Sequence, residues 1–195
     1  MTGTTRVPAA EVTGVYGRLV KLGVRAFIGT VPESLGVMWN NPRVFKDMMG
    51  IGRKIEKWDA VDPDLASYAH MAAAGYIGCH ACLDLNYYMA NNRGLDLDKV
   101  REVPRWRESD AFTPLERNVM EYAEAMCQTP VAVTDELSAR LLDALGASAL
   151  VELTSRIAFM NASARGNLAM GLGSEGLADA CGLAPLAPPA VVSAT

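Results

Sequence analysis

Apolar residues recur along this chain at spacings of three and four, and no segment of useful length alternates apolar with polar positions, so the pattern predicts an all-helical protein. Leu115, Val119, Tyr122 and Met126 form one stripe. Their helix opens on Thr113-Pro114-Leu115-Glu116, where the Thr hydroxyl caps, Pro114 fits the first turn and Glu116 reaches back to the cap amide. A second helix begins at Thr134, carries Leu137, Leu141 and Leu145 on one face and ends at Gly146. A longer one begins at Ser148, runs through Leu150, Leu153, Ile157 and Met160, and stops near Gly171. Upstream, Asn41-Pro42 opens a helix with Phe45, Met48 and Ile55 facing inward, and Asp62-Pro63 opens another that should reach about Ala74. A first helix is expected from about Pro8 to Phe27, weakened by Gly14, Gly17 and Gly23.

The expected architecture is a single-domain helical bundle over residues 1–184, of about seven to eight helices, followed by a flexible tail at 185–195 with no periodic face. Half of the 195 residues are apolar, enough for a full core, and the apolar supply on such short helices predicts at least a homodimer. A net charge of −4 provides no basic field for phosphate backbones, which argues against nucleic-acid binding. The most apolar N-terminal stretch, Val12 to Ile28, is interrupted by Arg18, Lys21 and Arg25, so no membrane span is expected. Four cysteines are too few for a disulfide framework, and the start lacks a basic stretch followed by an apolar one. A cytoplasmic protein with reduced thiols is expected.

Two of those cysteines carry the candidate chemistry. Cys79 and Cys82 stand three apart in Gly75-Tyr76-Ile77-Gly78-Cys79-His80-Ala81-Cys82, a spacing expected by chance at only roughly 0.06 pairs per chain of this composition. Gly75 and Gly78 should break the preceding helix, and Leu83, Asn86, Tyr87 and Ala90 supply a new face that places Cys79 near the first turn of the next. A helix N-terminus favours thiolate over thiol, and residues three apart are close enough for a disulfide. Haem attachment needs His directly after the second Cys, and position 83 is Leu. Zinc would have to recruit from His70, His80, Cys127 and Cys181, none of which forms a second close pair. An inert buried pair remains the competing reading to a redox centre. Neither a metal nor an organic cofactor is expected.

These residues resemble the alkylhydroperoxidase D-like, carboxymuconolactone decarboxylase superfamily. The likeness extends over Val31-Pro32-Glu33 with Trp39 to Pro42, the CxxC helix, Trp106 to Met126, and Val151 to Asn167. The resemblance implies an all-helical oligomer in which Cys82 attacks and Cys79 resolves. It also implies a proton relay of Glu twelve residues before the first Cys and His four after the second. Those positions hold Ser67 and Asn86, neither of which is a base at neutral pH. His70, one turn beyond Ser67, and His80, between the cysteines, are the candidate replacements. Each is otherwise a hydrogen-bonded core residue and a solvated helix-start residue, respectively. Asp84 should point away from Cys82 toward solvent or another subunit, and Trp58, Tyr87 and Tyr88 either wall a pocket or fill the core. Asn161, Arg165 and Asn167 form a polar cluster, read as an interhelix or intersubunit clamp.

The first functional reading is reduction of a small peroxide or disulfide by Cys79 and Cys82, with electrons from a thiol donor. The second is a redox sensor or structural subunit that cycles the same disulfide without efficient turnover. The third is a non-redox enzyme or small-molecule binder on the decarboxylase-type scaffold.

Overall fold

A computed structural model describes residues 5–188, and among them every regular element is helical. The elements are α1 (Gly14–Ile28), α2 (Glu33–Met38), α3 (Pro42–Ile55), α4 (Pro63–Ile77), α5 (His80–Asn92), α6 (Leu97–Val100), a 3-10 turn (Val103–Arg105), α7 (Pro114–Cys127), α8 (Asp135–Met170) and α9 (Leu177–Ala180).

The bundle is built round α4. Every residue from Leu65 to Ala74 is buried, and five of them are Ala, so α5, α7 and α8 can all approach its backbone closely. Its N-terminus follows from sequence: the Asp62 carboxylate accepts from the Asp64 and Leu65 amides, and Pro63 fills the first turn. At the far end α4 runs one turn past Ala74, because Gly75 stays helical and only Gly78, at φ 80°, ends it. The capping box at Thr113 and Glu116 forms as expected and opens α7. In α8 the two expected helices are continuous except at Gly146, whose φ of 78° and ψ of 165° bend the chain there.

The N-terminal helix begins at Gly14, not near Pro8. Residues before it cross the surface, where Ala10 donates its amide to the Gly36 carbonyl and Val12 joins a small core with Leu35, Trp39 and Phe45. The start of the expected tail lies against its own chain: the Ala187 amide bonds the Arg101 carbonyl, and Arg101 Nε bonds the Pro185 carbonyl. Residues 189–195 lie outside the described residues.

One buried ion pair ties the core to the α3–α4 connection. Glu152 and Arg156, four apart on α8, meet at 2.8 Å with side chains 9% and 7% exposed. Glu152 also accepts from the Ala60 amide at 2.7 Å, and Arg156 donates to the Trp58 carbonyl at 2.7 Å. Each charge thus has a counter-charge and a backbone partner, which is what a desolvated pair requires. Glu152→Ala, which leaves Arg156 buried without its counterion, should lower the unfolding free energy by about 3–5 kcal/mol, read from urea denaturation.

Candidate redox site at the start of α5

The turn between α4 and α5 places both cysteines. Gly78 donates its amide to the Gly75 carbonyl and Cys79 donates to the Ala74 carbonyl, the two bonds of a left-handed helix stop. The chain restarts at once as α5, with Cys79 as its N-cap: Cys79 Sγ accepts from the Cys82 amide at 3.3 Å. The two cysteines form a disulfide across a Cα separation of 5.3 Å. Both are buried, at 1% and 5% exposure, and pack with Ala74 of α4 and Ala164 of α8. Ile77, Leu168 and Met160 close the apolar shell round them. The sulfurs lie where three helices meet.

The other candidates are distributed unevenly about this pair. Asn86, one turn beyond Cys82, donates to the Cys82 carbonyl at 2.7 Å, a bond within the helix and not to sulfur. Ser67 Oγ donates to the Pro63 carbonyl at 2.9 Å and accepts from Arg93 Nη1 at 3.3 Å, while Arg93 also pairs with Glu56. Of the two positions that the resemblance assigned to a proton relay, Ser67 therefore links α4 to the end of α5 through Arg93, and Asn86 bonds within α5.

His70 lies on the same seam, between the Ser67–Arg93 contact and the Ala74–disulfide contact. It is 6% exposed, and its Nε2 has no hydrogen-bond partner among the described residues. Burial, reinforced by the Arg156 and Arg93 guanidinium charges, pulls its pKa down from 6.5 to about 4. The reading of His70 as a hydrogen-bonded core residue is corrected to a core residue with an unsatisfied nitrogen. An imidazole held so firmly neutral is a weak base, which counts against it as a replacement for the relay.

His80 is exposed and lines a cleft of about 210 Å³ with Asp84, Tyr87, Ser174 and Asp179; neither cysteine lines it. Asp84, half-buried, turns back onto its own chain. Its carboxylate accepts from Ser174 Oγ at 2.7 Å and from the Leu177 and Ala178 amides at 2.9 Å, so it caps α9. Tyr87 and Tyr88 are core residues whose hydroxyls donate to the Ala184 and Phe27 carbonyls, whereas Trp58 is 40% exposed beneath the Arg156 guanidinium. Cys127 is buried, and burial pushes its thiol up to about 11; Cys181 is exposed. Among the described residues no group of three or more His, Cys, Asp or Glu side chains is placed to hold a metal ion.

The polar cluster of α8 divides in two. Asn161 donates to the Met126 carbonyl, and Arg165 bonds Asn161 Oδ1 at 2.7 Å and the Cys127 carbonyl at 2.6 Å, closing the open end of α7. That is the interhelix clamp. Asn167 does something else: its Nδ2 donates to Cys82 Sγ at 3.4 Å, a contact that sequence reasoning missed because eighty-five residues separate the two.

Comparison with known proteins places these features in context. The profile of the carboxymuconolactone decarboxylase family matches residues 42–125, from the start of α3 to near the end of α7. YnjA, an uncharacterized protein of Escherichia coli (strain K12), is 37% identical over 129 residues, 66% of this chain and 71% of that protein. The debrominase Bmp8 superposes with a TM-score of 0.77 at 22% identity, over 92% of this chain and 96% of its own. A cysteine-to-alanine variant of Bmp8 in complex with 2,3,4-tribromopyrrole gives 0.78 at 21% over the same shares. An alkylhydroperoxidase AhpD core, a peroxidase-related protein from Ralstonia eutropha JMP134, gives 0.73 at 16%, over 89% and 94%. At these identities the structures share the fold.

The state of His70 sets a pH dependence. Its pKa is near 4 when folded and 6.5 when unfolded, so between those values the unfolded chain binds a proton that the folded chain does not. Its effect on stability is nil above pH 6.5, grows as pH falls, and reaches about 3 kcal/mol of loss below pH 4. Thermal or urea unfolding of the native chain across pH 7 to 4 should show this decline, and His70→Met should flatten it.

Proposed function

The chain belongs to the carboxymuconolactone decarboxylase family, and from that premise we propose that it is an alkylhydroperoxidase D-like dithiol oxidoreductase acting through Cys79 and Cys82. The observation that carries this reading is the disulfide itself, held across the first turn of α5 with Cys79 Sγ as N-cap acceptor. In the reduced state the Cys82 thiolate attacks the terminal oxygen of a hydroperoxide. The O–O bond breaks, Cys82 becomes a sulfenic acid, and the alkoxide takes a proton from solvent and leaves as an alcohol. Cys79 then attacks the Cys82 sulfur, expels water and closes the disulfide. A thiol donor restores the pair: it attacks Cys82, and Cys79 leaves as a thiolate that the Cys82 amide and the helix terminus stabilise. A second donor thiol releases the mixed disulfide. A reducing cytoplasm supplies such donors.

With Ser67 and Asn86 in the relay positions and His70 a weak base, the N-terminus of α5 and nearby donors carry the activation, so turnover is expected to be slow. The likeness to the debrominase Bmp8 over 92% of the chain favours a second substrate class for the same two electrons. An aromatic bromide would pass its halogen to the Cys82 thiolate while its ring carbon takes up a proton from solvent, and the Cys79 thiolate would then attack the sulfenyl bromide, closing the disulfide and expelling bromide.

Both are tested by feeding reduced protein cumene hydroperoxide or a brominated pyrrole with a dithiol donor. Catalytic turnover of either, abolished by Cys82→Ser, is the expected result. Disulfide formation in a single turnover without cycling would replace the enzyme with a sensor, and no oxidation of the pair by either compound would leave a non-redox protein on this scaffold.

We propose further that the working unit is at least a homodimer. Val15, Leu19 and Leu22 form a stripe along α1 at 72%, 63% and 65% exposure, and Phe27 and Tyr16 extend it. A second copy of the chain is the occupant such an exposed apolar helix face suits, since the same patch on both copies buries it twice over. Light scattering at micromolar concentration should give a multiple of 20.9 kDa, and Leu19→Glu with Leu22→Glu should return it to that value.

A further inference from the structure

The two sulfurs of the pair are served by different donors. Cys79 Sγ receives the Cys82 backbone amide, as an N-cap side chain does. Cys82, already inside the first turn, has no backbone donor to its sulfur; among the described residues the sole donor to Cys82 Sγ is Asn167 Nδ2. The converse also holds, since among those residues the Asn167 side chain makes no other hydrogen bond.

The surroundings hold the backbone that carries that amide. Asn167 stands at the end of α8, where its carbonyl accepts from the Leu172 amide as Gly171 turns left-handed at φ 75°. The N-terminal segment locks the same end: the Arg6 guanidinium donates to the Leu168 and Ala169 carbonyls, and the Arg6 amide bonds the Met170 carbonyl. Apolar side chains that pack about Cys82 include Ala74, Ala164, Ile77 and Leu168. An apolar shell alone raises a thiol pKa. A preorganised amide N–H aimed at the sulfur opposes that, because hydrogen bonds to an ionised acceptor are stronger than those to a neutral one.

We propose that Asn167 is the positioning residue for the Cys82 thiolate, the group that keeps the attacking sulfur ionised and oriented once the disulfide is reduced. This deepens the proposed dithiol reading and rests on it for its catalytic meaning, but the thiolate it describes is measurable without any substrate. The deprotonation that it favours sends the proton to solvent and leaves the negative charge on Cys82 Sγ beside the amide donor.

The test uses the full chain carrying Cys79→Ser, so that Cys82 can neither form the disulfide nor be confused with its neighbour. The rate of iodoacetamide alkylation at Cys82 is followed against pH by peptide mass spectrometry, which separates it from Cys127 and Cys181. Asn167→Ala should move the Cys82 profile to higher pH and slow alkylation about tenfold below the pKa. Asn167→Asp, which matches the native side chain in size but puts a carboxylate against the sulfur, should move it further. Asn167→Gln, which keeps a donor, should restore most of the loss. The Cys79 profile, read in Cys82→Ser, should be unchanged by the two neutral substitutions, Ala and Gln, and should move less than that of Cys82 in the Asp variant, whose charge reaches both sulfurs. A Cys82 profile that stays put in the folded Asp variant, verified by circular dichroism, overturns the proposal, as does an equal shift of both cysteines. If the profile moves as expected while no peroxide or bromide is turned over, the assignment of Asn167 stands and the enzymatic reading fails. If turnover is present and the profile is unmoved, the reverse holds.

Discussion

One left-handed residue organises the site. Gly78, at φ 80°, ends α4 with its amide and that of Cys79 folded back onto the Gly75 and Ala74 carbonyls, and the next residue caps α5. An L side chain at this φ would cost roughly 1–2 kcal/mol, although nothing crowds a Cβ there, so the constraint is one of backbone conformation and not of space. Because the two helices share no intervening loop, Cys79 is forced to be both the exit of one and the cap of the other. Its spacing of three to Cys82 then falls across a first helical turn, where the backbone already holds the sulfurs together.

From that pivot α4 and α5 run back alongside each other, and their pairing extends from the disulfide to the Ser67–Arg93 contact. The Ser67–Arg93 bond spans this seam, and the other polar residues along it are engaged elsewhere or buried. Ser67 and Asn86 satisfy backbone carbonyls, Arg93 reaches Glu56, and His70 is packed too deeply to charge at neutral pH. The result is a disulfide in which each sulfur accepts one directed N–H, Cys79 from the Cys82 amide and Cys82 from Asn167. Electrostatics of this kind is preorganised: the donors are fixed by helix geometry and need not move when charge appears.

The third wall is α8, and it connects the site to the rest of the fold. One face of this helix carries, in order, the Glu152–Arg156 pair that anchors the α3–α4 connection, Met160 and Ala164 against the core, and Asn167 at the sulfur. Asn161 and Arg165 on a neighbouring face close the end of α7. The polar positions of this helix therefore do three separate jobs, and all of them fix backbone or sulfur positions that the buried α4 cannot fix by itself, having almost no polar side chains along Leu65–Ala74.

Local rules were enough for the sequence to determine the helical class, the caps at Asn41, Asp62, Thr113 and Thr134, the stop at Gly171 and the meeting of Cys79 with Cys82. Each depends on residues within about one turn of each other, where spacing and capping chemistry act directly. The start of α1 was misplaced because the packing of Val12 against Leu35, Trp39 and Phe45 decides it, and α4 passes through the exposed Gly75 because the left-handed stop comes only at Gly78. The roles of the polar side chains were not legible for the same reason. Asp84 finds its partners ninety or more residues away, Glu152 reaches back to Ala60, and Asn167 meets Cys82 only where α8 passes the end of α4. A buried imidazole and a solvated one are the same letter in a sequence. Only the packing of three helices made His70 neutral, left His80 at the surface, and chose an asparagine from a distant helix to face the sulfur.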